Sequence, residues 1–161
     1  MTIDVGHRLP DANFLRMGPD GPSTVSLKSR LAGRKVVIFG LPAAFSTTCH
    51  TAHVPSFIQA MAGLRDKGVD EVICLSVNDP HVMKAWSEAT GAAAAGITML
   101  ADADGAFTRA IGMDYDAPAV GFYGRSKRYA LAADDGVVTV WHPEPERGCA
   151  VSSGEAMLAA L

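Results

Sequence analysis

A cysteine lies where a loop passes into a predicted helix. The segment 42–50 follows the apolar run 36–39 and places three hydroxyl residues at 46–48, directly before Cys49. The first N–H groups of a helix lack intrahelical partners, and the helix dipole adds partial positive charge there. Both effects favour the thiolate, which is the reactive form of cysteine. Because the hydroxyl run indicates a polar mouth rather than a core, the pattern predicts a reactive Cys49.

Arg128 is the candidate cation for such a thiolate. It lies near the start of the predicted strand 127–133. Alternation along that strand would direct Arg128 and Ala130 to one face and Tyr129 and Leu131 to the other. A guanidinium on a rigid strand is a permanent positive charge suited to a thiolate or a peroxide anion. An ordinary edge-strand arginine is the alternative.

The other two cysteines differ in their surroundings. Cys74 lies inside the apolar run 72–77, where a cysteine usually serves as a small core residue. Cys149 follows the proline-broken, charged segment 143–148, which suits either a mobile thiol or an incidental surface residue. Three cysteines is an odd count, which argues against a static disulfide framework.

His53 follows Cys49 by four residues, so both could share a helix face. A zinc site would need about four ligands, and no further cysteine or histidine cluster lies nearby in the sequence. A cysteine hydrolase would need an oxyanion motif, which does not follow. We therefore interpret His53 as a wall or interface residue.

The composition fits an ordinary globular protein. Its 161 residues fit a single domain (1–161), of which 48% are hydrophobic and 19% charged. The net charge of −3 argues against nucleic-acid binding or a polybasic membrane contact. The N-terminus lacks a signal-peptide pattern, and the longest apolar stretch is too short to span a bilayer, so we expect a cytoplasmic protein.

The predicted elements alternate between strands and helices. Turn residues at 18–22 predict an N-terminal hairpin, and Asp134-Asp135-Gly136 predicts a second. A helix should run from Thr47 or Thr48, acting as N-cap, to Gly68, loosened near Cys49 by Pro55. The other predicted strands are 35–41, 69–77 and 97–100, and the other helices 81–90, 105–111 and 155–161. This order predicts an α/β thioredoxin-like fold with a central mixed sheet, although a flavodoxin-like order fits the same pattern.

The chain resembles the type II (atypical two-cysteine) peroxiredoxins, which are small thioredoxin-fold peroxidases. Four motifs in register carry the resemblance over nearly the whole chain: Pro42, Ser46 and Cys49 in the loop, then 53–57, 73–83, and 127–129 with the 135–136 turn. The resemblance implies that Cys49 is the peroxidatic cysteine, which attacks a hydroperoxide and becomes a sulfenic acid.

The resemblance also implies roles for neighbouring residues. Pro42 would shield the thiolate, Ser46 would hold the peroxide, and Arg128 would stabilise thiolate and leaving oxygen. Two residues depart from the family pattern. Ser46 replaces a more frequent threonine, and Ala43 replaces a common glycine, so a positive φ at Ala43 would be strained.

Three routes could regenerate Cys49. Relatives carry the resolving thiol either at the position of Cys74 or near that of Cys149, and an external thiol is the third route. We favour Cys149 or external glutathione and interpret Cys74 as a core residue. The reductant would be glutathione with glutaredoxin, or thioredoxin, and no bound cofactor or metal is expected.

The resulting hypothesis is a thiol-dependent peroxidase that reduces hydrogen peroxide and alkyl hydroperoxides. The alternative is a redox sensor on the same fold with little turnover. A general thiol–disulfide oxidoreductase is disfavoured because no Cys-x-x-Cys motif occurs. A homodimer is carried over from the family, with Phe45, His81 and Trp86 as expected contacts.

Overall fold

The computed structural model describes residues 2–161, which fold around one seven-stranded sheet. The strands are β1 (Asn13–Gly18), β2 (Gly21–Ser26), β3 (Lys35–Gly40), β4 (Glu71–Ser76), β5 (Ile97–Ala101), β6 (Asp114–Ala117), β7 (Phe122–Ser126), β8 (Tyr129–Asp134) and β9 (Val137–Pro143). The α-helices are α1 (Leu27–Leu31), α2 (Val54–Asp66), α3 (Pro80–Thr90), α4 (Ala106–Ala110) and α5 (Gly154–Ala160). A π-helical turn (Cys49–His53) precedes α2, and a short 3₁₀ turn spans Pro118–Val120.

The sheet has the order β2-β1-β5-β4-β3-β8-β9. Strands β3, β4 and β5 are parallel, whereas β8 pairs antiparallel with β3 and β1 pairs antiparallel with β5. The prediction of a thioredoxin-like fold with an N-terminal hairpin is confirmed. The flavodoxin-like alternative is wrong, because a doubly wound parallel sheet would not place β8 antiparallel against its central strand.

Strand alternation divides the core into two apolar clusters, one on each face of the sheet. Val37 and Phe39 belong to the cluster that α2, α3 and α5 cover. Val36 and Ile38 belong to the opposite cluster, which α1 and α4 cover. Strands that are buried on both faces explain the continuous apolar run in β3. Cys49 lies in the first cluster, at the end of the sheet where β3 stops.

The structure contains a hairpin that the sequence pattern does not predict. Strands β6 and β7 form a separate two-stranded sheet, joined through the 3₁₀ turn. Apart from Ser126 the residues of both strands are exposed or only half-buried, so the strands lack the apolar alternation on which strand prediction depends. The observed strand β8 begins at Tyr129, two residues after the start of the predicted strand 127–133. Lys127 and Arg128 instead form the link between β7 and β8.

The helix that carries Cys49 begins differently from the prediction. Thr48 has helical backbone angles and makes no side-chain cap, so its proposed N-cap role is wrong. The loosened turn expected from Pro55 is present as the π-helical turn (Cys49–His53). The strained residue of the loop is Phe45, with a φ of 64°, whereas Ala43 is absent from the non-glycine residues of positive φ in 2–161. Alanine at position 43 therefore carries none of the strain that a positive φ would cause.

No helix within residues 2–161 combines the length and the apolarity that crossing a bilayer requires.

Candidate active site

Three elements converge on the Cys49 thiol. The loop after β3 brings the chain to the π-helical turn, and the link before β8 brings in Arg128. Strands β3 and β8 pair from Lys35 with Asp134 to Gly40 with Tyr129, so the end of β3 lies beside the start of β8. Residue 40 must be glycine at this pair of residues, because a Cβ there would overlap the ring of Tyr129. Backbone pairing thus brings Cys49 and Arg128 together across 79 residues of sequence.

Arg128 donates from Nη2 to the Sγ of Cys49 over 3.2 Å. The thiol is fully buried and the arginine is 9% exposed, so bulk water screens their interaction little. The predicted alternation is confirmed, since Ala130 packs in the Cys49 cluster while Tyr129 and Leu131 pack in the opposite one. Arg128 is therefore a buried cation directed at Cys49, and the alternative of an ordinary edge-strand arginine is wrong.

His53 is also part of this site, which corrects its interpretation as a wall or interface residue. It is fully buried, and its Nδ1 lies 3.0 Å from Nη1 of Arg128. Its Nε2 lies 2.9 Å from the carbonyl oxygen of Ser152. Because a guanidinium can only donate and a carbonyl can only accept, His53 must be neutral, with its proton on Nε2. Burial, together with the charge of Arg128, lowers the pKa of His53 to about 3, despite the opposing bond to Ser152.

This buried histidine predicts a loss of stability in acid. Unfolded His53 takes up a proton near pH 6.5, whereas folded His53 stays neutral down to about pH 3. Between these values the unfolded state binds the extra proton, so the free energy of unfolding falls as the pH falls, by up to about 1.4 kcal/mol per pH unit. His53→Gln should show a slope shallower by that amount in urea denaturation at about pH 6, 5 and 4.

A matched control separates titration from lost packing. Phe57 packs beside His53 with ring centroids 5.7 Å apart and carries no ionisable group. Phe57→Leu should therefore lower stability at every pH and keep the slope of the unmodified protein. Equal slopes for His53→Gln and the unmodified protein would contradict a neutral buried His53.

Ser46 and Pro42 lie in the loop between β3 and the π-helical turn, and both are half-buried. The Ser46 hydroxyl donates to the carbonyl oxygen of Ala43 over 2.9 Å. Its only hydrogen is therefore used within the loop, while its oxygen lone pairs can still accept a hydrogen bond. Thr51 likewise donates to the carbonyl of Thr47, so these hydroxyls brace the backbone.

The other two thiols are placed differently from each other. Cys74 is fully buried in the middle of β4, between Phe39 and Met99 of the neighbouring strands. Burial, followed by the nearby charge of Cys49, raises the pKa of Cys74 well above its ordinary value. Cys149 is partly exposed in the loop that precedes α5. Burial also raises the pKa of Cys149, and a hydrogen bond with the Ser152 side chain offsets part of this effect.

An aromatic group closes one side of the site. Trp86 is fully buried and donates from Nε1 to Nδ1 of His50 over 2.9 Å. Phe45 stacks on His50, with ring centroids 5.9 Å apart, and is 51% exposed. Phe45 and the exposed His81 are thus accessible for the predicted dimer contact, whereas Trp86 is not, because it belongs to the core.

Tyr115 lies near the same site, and sequence reasoning does not identify it. It pairs with Arg125 across β6 and β7. Partial burial and the charge of Cys49 raise the pKa of Tyr115, against the opposing charges of Arg128, Arg147 and Arg125. Tyr115 therefore lies close enough to the thiol site to respond to its charges. Only recognition of that hairpin could have pointed to Tyr115.

The fold and the site together define a thioredoxin-like protein with a reactive thiol held by a cation. Comparison with known proteins narrows this class to one family, since residues 4–158 match the Redoxin family model. The chain is 46% identical to Peroxiredoxin-2E-2, chloroplastic, of Oryza sativa subsp. japonica, covering 99% of this chain and 73% of the relative. It is 42% identical to Peroxiredoxin-2B of Arabidopsis thaliana, covering 99% and 98%.

A similar crystal structure gives the same result. Reduced Prx3 of Vibrio vulnificus, solved in complex with H₂O₂, has a TM-score of 0.92 and is 42% identical over 99% of both chains. The chain therefore belongs to the Redoxin family and, within it, to the type II peroxiredoxins, which are thiol-dependent peroxidases. The prediction of a thiol-dependent peroxidase is confirmed at this level.

Proposed function

We propose that this protein, acting as a single redoxin domain in the cytoplasm, reduces hydrogen peroxide and alkyl hydroperoxides at Cys49. The observation that carries the proposal is the 3.2 Å contact between Arg128 Nη2 and Cys49 Sγ in a buried setting. The Vibrio relative, which was solved with H₂O₂, supports hydrogen peroxide as the substrate.

In the first step the Cys49 thiolate attacks the terminal peroxide oxygen. The S–O bond forms as the O–O bond breaks, giving a sulfenic acid and an alcohol or water after the leaving oxygen takes up a proton. Arg128 donates to the thiolate before the attack and to the developing oxygen charge during it. A fixed donor of this kind requires little reorganisation as the charge moves from sulfur to oxygen.

Ser46 and Pro42 bind and shield the substrate in this proposal. Because the Ser46 hydroxyl donates to Ala43, it holds the peroxide by accepting a hydrogen bond from the peroxide O–H. Pro42 takes the role that the family resemblance implies, which is to shield the Cys49 thiolate from bulk water. The lost methyl group of a threonine at position 46 leaves the hydroxyl rotamer less restricted, and the bond to Ala43 compensates for this.

A thiol then attacks the sulfenic sulfur, releasing water and forming a disulfide. One further thiol reduces a mixed disulfide with glutathione, whereas two external thiols reduce a disulfide between Cys49 and Cys149 and leave as a disulfide themselves. We assign the attack to Cys149 or to external glutathione, with glutaredoxin or thioredoxin as the later reductant. Cys149 is partly exposed on a loop, whereas Cys74 is locked within a central strand and its thiol is kept protonated by burial. A homodimer in which Phe45 and His81 contact the partner completes the proposal, since Phe45 is a strained and exposed aromatic residue.

Intact mass spectrometry after one equivalent of H₂O₂ tests this assignment. If Cys149 resolves Cys49, the unmodified protein should lose two hydrogens and Cys149→Ser should retain an added oxygen. If external glutathione resolves it, all variants should gain an oxygen and then form a glutathione adduct. Cys74→Ala should match the unmodified protein in either case. Loss of the disulfide only in Cys74→Ala would overturn the assignment of Cys74 as a core residue.

A further inference from the structure

Glu144 is joined to the thiol site without touching the thiol. It directly follows β9, and its backbone N–H donates to the carbonyl oxygen of Arg128 over 2.9 Å. The residue therefore lies beside the backbone of the arginine whose side chain reaches Cys49.

One carboxylate oxygen of Glu144 closes the loop that follows it. Oε2 accepts from the backbone N–H of Ala150 over 2.9 Å and from that of Ser152 over 2.8 Å. It also accepts from the Ser152 hydroxyl over 2.6 Å. Hydrogen bonds to a carboxylate are shorter and about twice as strong as neutral ones, so this oxygen fixes Ser152 firmly.

The position of Ser152 in turn determines the state of His53. Ser152 is fully buried, and its carbonyl oxygen accepts from His53 Nε2 over 2.9 Å. That bond holds the proton on Nε2 and leaves the Nδ1 lone pair for Arg128, 3.0 Å away. With Nη1 held by His53, the planar guanidinium presents Nη2 to Cys49.

We propose that Glu144 is a positioning residue for the peroxidase reaction, which acts through Ser152 and His53 to hold Arg128 on Cys49. Because its backbone also binds the Arg128 carbonyl, one residue fixes both the main chain and the side chain of the arginine. The inference rests on the roles proposed above for Cys49 and Arg128.

Single-turnover oxidation by H₂O₂ without a reductant tests the proposal, since it isolates the reaction at Cys49. Glu144→Ala releases the Ser152 carbonyl and should lower the second-order rate constant of oxidation. The loss can reach about 10²-fold, because Arg128 is then misplaced relative to Cys49. Glu144→Gln keeps an oxygen acceptor in the same place and should recover most of the rate. Glu146→Ala, an exposed acidic residue of the same loop, should react like the unmodified protein.

A double-mutant comparison shows whether the effect passes through Arg128. In the Arg128→Ala background, Glu144→Ala should cause no further loss of rate, because the residue that it positions is absent. An equal fold-loss in both backgrounds would overturn the proposal while leaving the role of Arg128 intact. An unchanged rate in Arg128→Ala alone would instead overturn the proposed function of Arg128.

The imidazole ¹⁵N shifts of His53 provide a readout apart from activity. In the unmodified protein and in Glu144→Gln they should indicate a single tautomer, protonated on Nε2. In Glu144→Ala they should indicate a mixture of tautomers, because the carbonyl that selects one is no longer fixed. A single Nε2–H tautomer together with an unchanged oxidation rate in folded Glu144→Ala would refute the proposal. If Glu144→Ala does not fold, a Glu144→Gln protein with both a mixed tautomer and a full rate would refute it equally.

Discussion

Peroxide turnover is expected to be lost when Cys49 is replaced by serine. Serine is close to isosteric with cysteine, but its hydroxyl is not a nucleophile at neutral pH without a strong base. The buried imidazole of His53 cannot serve as that base, because its Nδ1 faces the Arg128 guanidinium and its Nε2 proton is bound to the Ser152 carbonyl. We expect kcat/KM for H₂O₂ to fall by more than about 10³-fold, to the uncatalysed background.

The measurement is a coupled assay with excess thiol reductant, supplemented by H₂O₂ consumption without any reductant. Cys149→Ser is the matched control, because it removes a thiol of the same chain and leaves Cys49 and Arg128 in place. It should consume one equivalent of H₂O₂ at the unmodified rate. Because the thiol lies within the apolar cluster, a thermal melt must show that Cys49→Ser is folded. Substantial peroxidase activity in that folded variant would refute the assignment of Cys49 as the peroxidatic residue.

Much of the sheet can be predicted from sequence, because its central strands are buried on both faces. Continuous apolar runs identify β3, β4 and β5, and the helices between them require parallel crossovers. The hairpin of β6 and β7 cannot be predicted in this way, since its strands are short and mostly exposed or half-buried. Apolar periodicity indicates burial, and a strand that buries little gives little signal.

Within the site, local pattern and long-range contact carry different information. The loop before Cys49 and the alternation around Arg128 are local features, so sequence predicts both the thiol and the face of the cation. The role of His53 depends on Arg128 and Ser152, which are 75 and 99 residues away. The four-residue spacing indicates that His53 can share a helix face with Cys49. Spacing alone cannot show that the partners of His53 are a guanidinium and a carbonyl.

The same distinction applies to the aromatic residues of the loop. The family resemblance suggests Trp86 as a dimer contact, but Trp86 lies with Met83 and Ser87 on the surface of α3 that faces the core. The indole fills that core and its N–H reaches His50, which braces the π-helical turn. Sequence periodicity does not reveal which long side chain of α3 reaches the neighbouring turn, since that depends on how the two helical segments pack.

Replacing Arg128 by alanine should slow the oxidation of Cys49 on the order of 10²- to 10³-fold, the cost of removing one preorganised donor from a catalytic site. The rate of Cys49 alkylation at a fixed pH should also fall, because the buried cation that favours the thiolate is lost. The pKa of His53 should rise, since the charge of Arg128 helps to lower it, so the pH range over which acid lowers the free energy of unfolding should end above pH 3. Stopped-flow oxidation by H₂O₂ and the rate of iodoacetamide labelling at a fixed pH measure the first two effects.

Arg128→Lys separates the charge of the arginine from its geometry. An ammonium group retains the positive charge, but as a compact point charge it does not reproduce the planar fork that holds His53 and Cys49 together. We therefore expect an intermediate oxidation rate, with an alkylation rate at fixed pH closer to that of the unmodified protein than in Arg128→Ala. Lys127→Ala, an exposed neighbour, is the matched control and should leave both rates unchanged. If Arg128→Ala and Lys127→Ala gave the same oxidation rate and the same alkylation rate, the cation would have no part in the reaction, and the reactivity of Cys49 would have to come from its helix alone.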